Sequence, residues 1–306
     1  MPSISKNTTI TLLLFLSVLT QSHSQKIESL KQEIEHIITS KGAVVGVAIT
    51  GTQAKDTLSI NGRKQFPMQS VFKFPIALKM LSEIDKGNFS LDQKITIKKS
   101  ELLPGLWSPL REKYPEGGVF TIAELIKYTV ALSDNVGCDA LLRLLVKPEA
   151  VEDYFHDLGF MDFAVKINEE TMQNNWDKQF LNWTTPKEAN AFLKAFYENK
   201  TNLLSEASHD FIWNVMASTQ TGKKRLRGQL PKETVVAHKT GWSGKHKKTG
   251  VTAAANDIGI VSLPNGKYFT ISVFVSESTE STETNEKIIS DICKVAWDYF
   301  TKSKRK

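Results

Sequence analysis

The sequence predicts an α+β fold of two lobes: an antiparallel sheet flanked by terminal helices, with an all-α lobe inserted beside it. Three observations lead there. β-like runs lie near both ends of the 306-residue chain. The long middle stretch is mostly helical in period. The first and last segments also repeat their apolar residues at helical spacing. Strand runs far apart in sequence assemble most simply into one sheet, with the intervening helices set beside it. The expected division is 25–66 together with 215–306 for the α/β lobe and 67–214 for the all-α lobe, after a leader over 1–24.

The opening helix follows from Ile27, Leu30, Ile34 and Ile37, which share one face over residues 26–39. Ala43 to Thr50 and Thr57 to Ile60 then read as strands. Phe74 to Leu81 opens a helix that Gly87 ends, and Pro75 falls in its first turn, where a missing N–H costs little. Thr121-Ile122-Ala123-Glu124 is a capping box that starts another helix. Strand character returns in Val235 to Lys239, Thr252 to Leu263 and Lys267 to Ser276. Pro264-Asn265-Gly266 marks a hairpin between the last two. Ile288, Ile289, Ile292, Val295, Ala296 and Tyr299 line one face of a closing helix from Asn285 to Phe300.

Composition narrows the function classes. Hydrophobic content of 41% and charged content of 24% allow a full core in a water-soluble domain. Lys6 followed by the apolar run Ile10 to Leu19, then the small residues of Ser22-His23-Ser24, reads as a cleaved secretory signal rather than a stable membrane anchor. No Cys follows the run, so a lipid anchor on an N-terminal Cys is excluded. Loss of Lys6 with the leader takes the net charge from +6 to +5. The densest basic cluster, Lys245-His246-Lys247-Lys248, lacks aromatic interleaving and reads as a solvated loop, not a nucleic-acid patch. Cys138 and Cys293 read as small core residues rather than a bridge. The six His residues show no metal-ligand spacing, so neither a metal nor another cofactor is expected.

Three short motifs carry the chemistry. In Ser70-Val71-Phe72-Lys73, a helix starting at Ser70 would set Lys73 one turn up on the same face. A serine needs such a neighbour to lose its proton and become a nucleophile. The helix N-terminus would also offer backbone N–H groups to a developing oxyanion. In Ser133-Asp134-Asn135, Ser133 can pass a proton to a leaving nitrogen, Asn135 can bind a substrate amide, and Asp134 suits an Asx turn or helix cap. Lys239-Thr240-Gly241 ends a β-run, where a strand edge meets an extended ligand and Gly241 permits close approach. Alone, a Ser-x-x-Lys is ordinarily an N-cap and a surface lysine. All three motifs in this order are the signature of class A β-lactamases and penicillin-binding proteins.

From about Gln25 onward the chain resembles class A serine β-lactamases, most of all the PER/VEB-type extended-spectrum branch. The resemblance implies a serine β-lactamase/D,D-peptidase-like fold and a periplasmic, monomeric hydrolase of cyclic amides. Its partners would be small β-lactams alone. It implies Ser70 as the acylated nucleophile, Lys73 as its partner, Ser133 as proton carrier, Asn135 as amide binder, and Lys239 and Thr240 as contacts of the substrate carboxylate. It also implies a deacylating glutamate on an Ω-shaped loop. Spacing back from Thr184-Thr185-Pro186 favours Glu169, with Glu170 as the fallback. Arg225, fourteen residues before Lys239, would reinforce the carboxylate pocket. Arg227 would face away on an extended segment.

The chain departs from the family at four places. Gln173 stands for the asparagine that helps hold the hydrolytic water. Ile167 and Asn182 replace the Arg–Asp pair that clasps the Ω loop, which implies a loop held differently and a wider cleft for bulky cephalosporins. Trp242 follows the KTG, where small residues are usual, and its N–H can still serve as the second oxyanion donor. Gln69 precedes the nucleophile, which excludes the carbapenemase branch's disulfide. Trp107 either lines the cleft entrance or packs in the core. Two related readings compete: a D,D-peptidase that cannot deacylate, and a sensor that acylates once. The sensor needs a transmembrane segment and an output domain, and no second apolar run of that length exists.

Overall fold

The computed structural model describes residues 25–53 and 56–302; the expected leader lies outside them. The chain opens with α1 (25–39), β1 (Val44–Gly51), β2 (Thr57–Ile60) and β3 (Phe66–Pro67). A 3₁₀ turn, Gln69–Phe72, leads directly into α2 (Lys73–Asp85). The middle holds β4 (Lys94–Lys98), α3 (Pro109–Lys113), β5 (Gly117–Thr121), α4 (Ile122–Ala131), α5 (Asn135–Leu144) and α6 (Glu149–Asp157). Then come β6 (Phe163–Ala164), α7 (Glu169–Asn174), β7 (Trp183–Thr184), α8 (Pro186–Glu198) and α9 (Glu206–Ala217). The last quarter supplies β8 (Val236–Trp242), β9 (Ala255–Ser262), β10 (Tyr268–Ser276) and α10 (Thr282–Lys302).

The main sheet is antiparallel with the order β2-β1-β10-β9-β8. Chain ends therefore meet in its centre, where Val44 opposes Ser276 and Gly51 opposes Phe269. Alternation along the strands feeds two cores. Val45, Val47 and Ile49 of β1 with Ile271 and Val273 of β10 pack against Leu30 and Ile34 of α1 and Ile288 and Ile292 of α10. On the other face, Phe274 and Tyr268 join the core of the helical lobe. That second core is built around α2, where Phe74 meets Phe192 and Phe196 at ring separations of 6.2 and 5.2 Å. Each such side chain, fully buried, contributes about 1.5–3 kcal/mol relative to exposure. Cys138 lies in the helical core and Cys293 in the sheet core, both free, so no bridge joins them.

Local signals decide the elements that position the site. Thr121 and Glu124 cap α4 reciprocally, as the capping box requires. Gly266 adopts φ +74° in the β9–β10 turn. The middle also carries short strands that its helical period conceals: β3-β7-β6 and the β4–β5 pair. Arg227 stays off the cleft as expected, but its segment is not extended. Residues 222–228 form successive turns, with Arg225 N–H bonded to Gly222 O at 2.8 Å and Gly228 N–H to Arg225 O at 2.8 Å. Arg227 folds back to donate to Ala217 O at 3.3 Å and Val236 O at 3.1 Å, where the end of α9 and the start of β8 leave carbonyls to satisfy.

Candidate active site

Ser70 sits in the 3₁₀ turn and Lys73 is the first residue of α2, so the two side chains lie one turn apart. The turn is held under strain. Gln69 has φ +48°, a left-handed conformation uncommon outside glycine. Two contacts from the sheet fix it: Asn256 Nδ2 donates to Pro67 O at 2.8 Å and to Met68 O at 3.2 Å. Gly241 of β8 lies against the same turn, so close that a Cβ there would collide with the Met68 carbonyl. Lys73 is fully buried, and its Nζ donates to Ser70 Oγ at 2.7 Å, to Asn135 Oδ1 at 2.8 Å and to Glu169 Oε1. An ammonium has three N–H donors, and here each has one acceptor.

Ser133 and Asn135 bracket the start of α5. Ser133 is in the left-handed region at φ +58°, which turns its hydroxyl toward β8. Asp134 caps α5 by accepting from Gly137 N–H at 2.8 Å, and its other oxygen accepts from Ser108 Oγ and Leu110 N–H at 2.8 and 2.7 Å. The middle residue of this motif is thus a clamp between α3 and α5. Lys239 Nζ, fully buried, donates to Ser133 Oγ at 2.9 Å and to Thr240 O at 2.9 Å. Burial first, then the nearby Lys73 charge, push the Lys239 pKa well down. Thr240 Oγ1 pairs with Thr221 Oγ1 at 2.6 Å.

Glu169 is the first residue of α7, buried, while Glu170 points to solvent. Of the two, Glu169 reaches Lys73. Its position is set by Asp139 on α5, whose two oxygens accept from Glu169 N–H at 2.8 Å and Glu170 N–H at 3.0 Å. Burial and the neighbouring Glu169 carboxylate raise the Asp139 pKa to about 7. Asn168 completes the helix start by accepting from Thr171 N–H at 3.1 Å.

These groups open on one cleft of about 850 Å³. Ser70, Ser133, Asn135, Glu169, Gln173, Arg225, Thr240 and Trp242 all reach it, so the sequence-predicted residues converge. Lys73 and Lys239 lie just beneath its surface. Arg225 Nη1 is spent on backbone carbonyls, Gly241 O at 2.9 Å and Asn256 O at 3.0 Å, and its guanidinium lies 5.6 Å from the Trp242 ring. Among the described residues no group of three or more His, Cys, Asp or Glu side chains is placed to hold a metal.

The profile of the β-lactamase enzyme family matches residues 29–300. The chain is 49% identical to β-lactamase VEB-1 of Pseudomonas aeruginosa over 97% of its own length and 98% of the relative's. It is 41% identical to extended-spectrum β-lactamase PER-1 of Pseudomonas aeruginosa over 95% and 94%. The crystal structure of TLA-1 extended-spectrum β-lactamase superposes with a TM-score of 0.86 at 49% identity, covering 89% of this chain and 98% of that one. Class A enzymes stand among its other structural neighbours. The chain is a class A β-lactamase.

In this β-lactamase the Asn182 amide helps to strap the Ω loop, beside an ion pair from Lys166 to Glu152 at 2.6 Å. Asn182, fully buried, accepts from Lys166 and Ile167 N–H at 2.8 and 3.1 Å and donates to Ile167 O at 2.9 Å. Its own carbonyl accepts from Met68 N–H at 2.9 Å, which ties the loop to the nucleophile turn. Gln69 and Gln179 add a buried side-chain bond of 2.6 Å between the same segments. Gln173 is exposed at the cleft. Trp107, 57% exposed and bonded to Leu132 O at 3.1 Å, lines the entrance rather than the core. The Lys245–Lys248 loop is exposed as the sequence suggests, but it borders the cleft instead of standing apart from it. Sequence reasoning did not find Asp139, Thr221 or Asn256. Asp139 lay in plain sight four residues after Asn135, one α-helical turn on along the same face.

Proposed function

We propose that this β-lactamase hydrolyses penicillins and cephalosporins, with an extended spectrum, through a Ser70 acyl-enzyme that a Glu169-activated water releases. The observation that carries the reading is the Lys73 ammonium, bonded at once to Ser70, Asn135 and Glu169. With all three protons donated, Nζ has no lone pair for Ser70. A proton must first pass to Glu169. Lys73 then takes the Ser70 proton as Oγ attacks the lactam carbonyl. The backbone N–H groups of Ser70 and Trp242 receive the oxyanion. Ser133, polarised by Lys239, gives its proton to the leaving nitrogen as the C–N bond breaks. Lys239, Thr240 and Thr221 bind the ring carboxylate, with Arg225 holding the strand that presents them. Asn135 binds the side-chain amide. Lys73 restores the Ser133 proton and recovers its own from Glu169, so Glu169 is a carboxylate again. It then takes a proton from water, which attacks the ester carbonyl, and that proton passes to Ser70 Oγ as the C–O bond breaks, with Gln173 helping to hold the water.

The broad cleft and the amide-strapped loop support the extended spectrum, as does likeness to relatives described in those terms. We place the mature enzyme in the periplasm as a monomer, after removal of residues 1–24. Among the described residues no helix is long and apolar enough to cross a membrane. An intact-mass time course with excess cephalosporin tests the mechanism. A rapid return to the starting mass while the drug disappears supports it, and Glu169→Ala should then trap the adduct. An adduct on Ser70 that persists for hours in the wild type would remove Glu169 from its role and leave a D,D-peptidase or a sensor.

A further inference from the structure

We propose that the buried His238–Asp257 pair is a positioning device for the ring-carboxylate subsite: it rivets segment 219–226 to β8, so that Thr221 and Arg225 are held beside Lys239 and Thr240. The inference rests on the β-lactam reading above and adds to it two residues that never touch the substrate. The subsite is assembled from two separate segments. Lys239 and Thr240 come from β8, whereas Thr221, Gly222 and Arg225 come from the turns after α9. Thr221 Oγ1 and Thr240 Oγ1 lie only 2.6 Å apart across the join, so a small shift of either segment breaks that contact.

His238 and Asp257 hold the join from behind. They are 1% and 0% exposed, and neither borders the cleft. His238 directly precedes Lys239, and Asp257 stands opposite Thr240 in the β8–β9 register. By alternation both face the sheet core together with Val236 and Val261. His238 Nδ1 donates to the Asp257 carboxylate, 2.9 and 3.0 Å from its two oxygens. An ionised carboxylate only accepts, so Nδ1 carries the proton. Asp257 Oδ2 accepts in turn from Leu226 N–H at 3.2 Å, and the His238 carbonyl accepts from Thr219 Oγ1 at 2.8 Å. The pair thus grips the segment on both sides of Thr221. The fit is close: a Cβ on Gly222 would lie 2.4 Å from Thr240 Cγ2 and 3.6 Å from Asp257 Oδ2.

Stability alone does not account for these two residues. Leu226, Leu230, Val236, Val261 and Cys293 make this face apolar, and a buried charged pair can often be replaced there by well-packed apolar side chains at no loss. An apolar pair could not hold the Leu226 N–H. Nor could it support Arg225, whose pKa burial pushes down while the charge of Asp257, then that of Glu286, opposes the shift.

The test compares a cephalosporin with its methyl ester at the ring carboxylate. The readout is the acid-to-ester ratio of kcat/KM within each protein, so a general loss of folded enzyme cancels. His238→Phe removes the donor and should lower the ratio roughly tenfold, through KM of the acid, with kcat within about twofold of wild type. His238→Asn puts an amide N–H where Nδ1 stood and should keep the ratio near wild type. Thr219→Val loses only the hydroxyl and should lower the ratio roughly threefold. A wild-type ratio in both His238→Phe and Thr219→Val would overturn the rivet, as would equal losses in His238→Phe and His238→Asn. If His238→Phe does not fold, a wild-type ratio in Thr219→Val or a lowered one in His238→Asn overturns it. A wild-type enzyme that treats acid and ester alike would instead take down the carboxylate reading, and the rivet with it.

Discussion

Around Ser70 each charged side chain is buried and bonded, whereas along the hairpin after β8 three lysines stand in solvent and, among the described residues, form no ion pair. Lys73 satisfies three acceptors, and Lys239 bonds Ser133 and the backbone. Removing one partner there leaves a buried charge uncompensated, so the floor tolerates little change. A rim lysine loses a screened contact worth about 1 kcal/mol at most. The floor can thus hold its chemistry fixed while the rim varies with the substrate. Asp139 and Asn182 stand between these extremes: neither borders the cleft, yet both anchor the loop that bears Glu169.

The comparison breaks first at the nucleophile if it breaks at all. Ser70→Ala should lower turnover of a chromogenic cephalosporin by about 10⁴-fold or more, since the residual rate then rests on binding alone. Residual activity of several per cent would show that the buried cluster is not the reacting centre. Asp139→Ala comes next. It strands one buried and one partly buried N–H group and should cost about 2–4 kcal/mol in urea denaturation, with acyl-enzyme accumulating in mass spectra. Asn182→Ala should cost about 2–3 kcal/mol and lower the melting temperature by several degrees, leaving the acylation rate nearer wild type.

Acidity sharpens the contrast further. Asp139 holds its proton up to about pH 7 in the fold, against a usual value of 3.8. The folded state then binds a proton that the unfolded chain has lost, so this group's share of stability is greatest below pH 4. That share falls as pH rises toward 7, by on the order of a few kcal/mol. Urea midpoints for the wild type and Asp139→Asn at pH 4.5 and 7.5 check this. The wild type should lose ground relative to the variant at the higher pH, and parallel curves would refute the assignment. The smallest effect belongs to the rim. Trp176→Ala should leave stability within about 0.5 kcal/mol and change KM for bulky substrates a few-fold, read from steady-state kinetics.

What could be read from the chain was whatever local spacing encodes. The α4 capping box and the β9–β10 turn needed a few neighbouring residues each, while the convergence of Ser70, Ser133 and Lys239 was implied by the family resemblance that their three motifs carry. The supports were hidden because they act across the sequence. Asp139 reaches Glu169 thirty residues on, and Asn256 reaches Met68 from 188 residues away. Nothing in the type of either residue names its partner. The extended backbone expected around Arg227 was wrong for a related reason: its side chain there meets carbonyls at the end of α9 and the start of β8, outside its local sequence pattern. The cleft-lining place of the lysine hairpin came from the β8–β9 register, which composition does not contain.

The centre of the sheet joins Val44 to Ser276 across most of the chain. During synthesis β1 must therefore wait, unpaired on that edge, until more than two hundred residues have followed it. The helices around α2 have their contacts mostly within the middle of the chain and can gather earlier. Lys239 and Gly241 arrive with the late strands, so the nucleophile's surroundings are completed only near the end of translation. A ribosome that stops short of β10 releases a chain with Ser70 and Lys73 in hand and an exposed strand seeking a partner, which is a template for aggregation rather than a weaker enzyme.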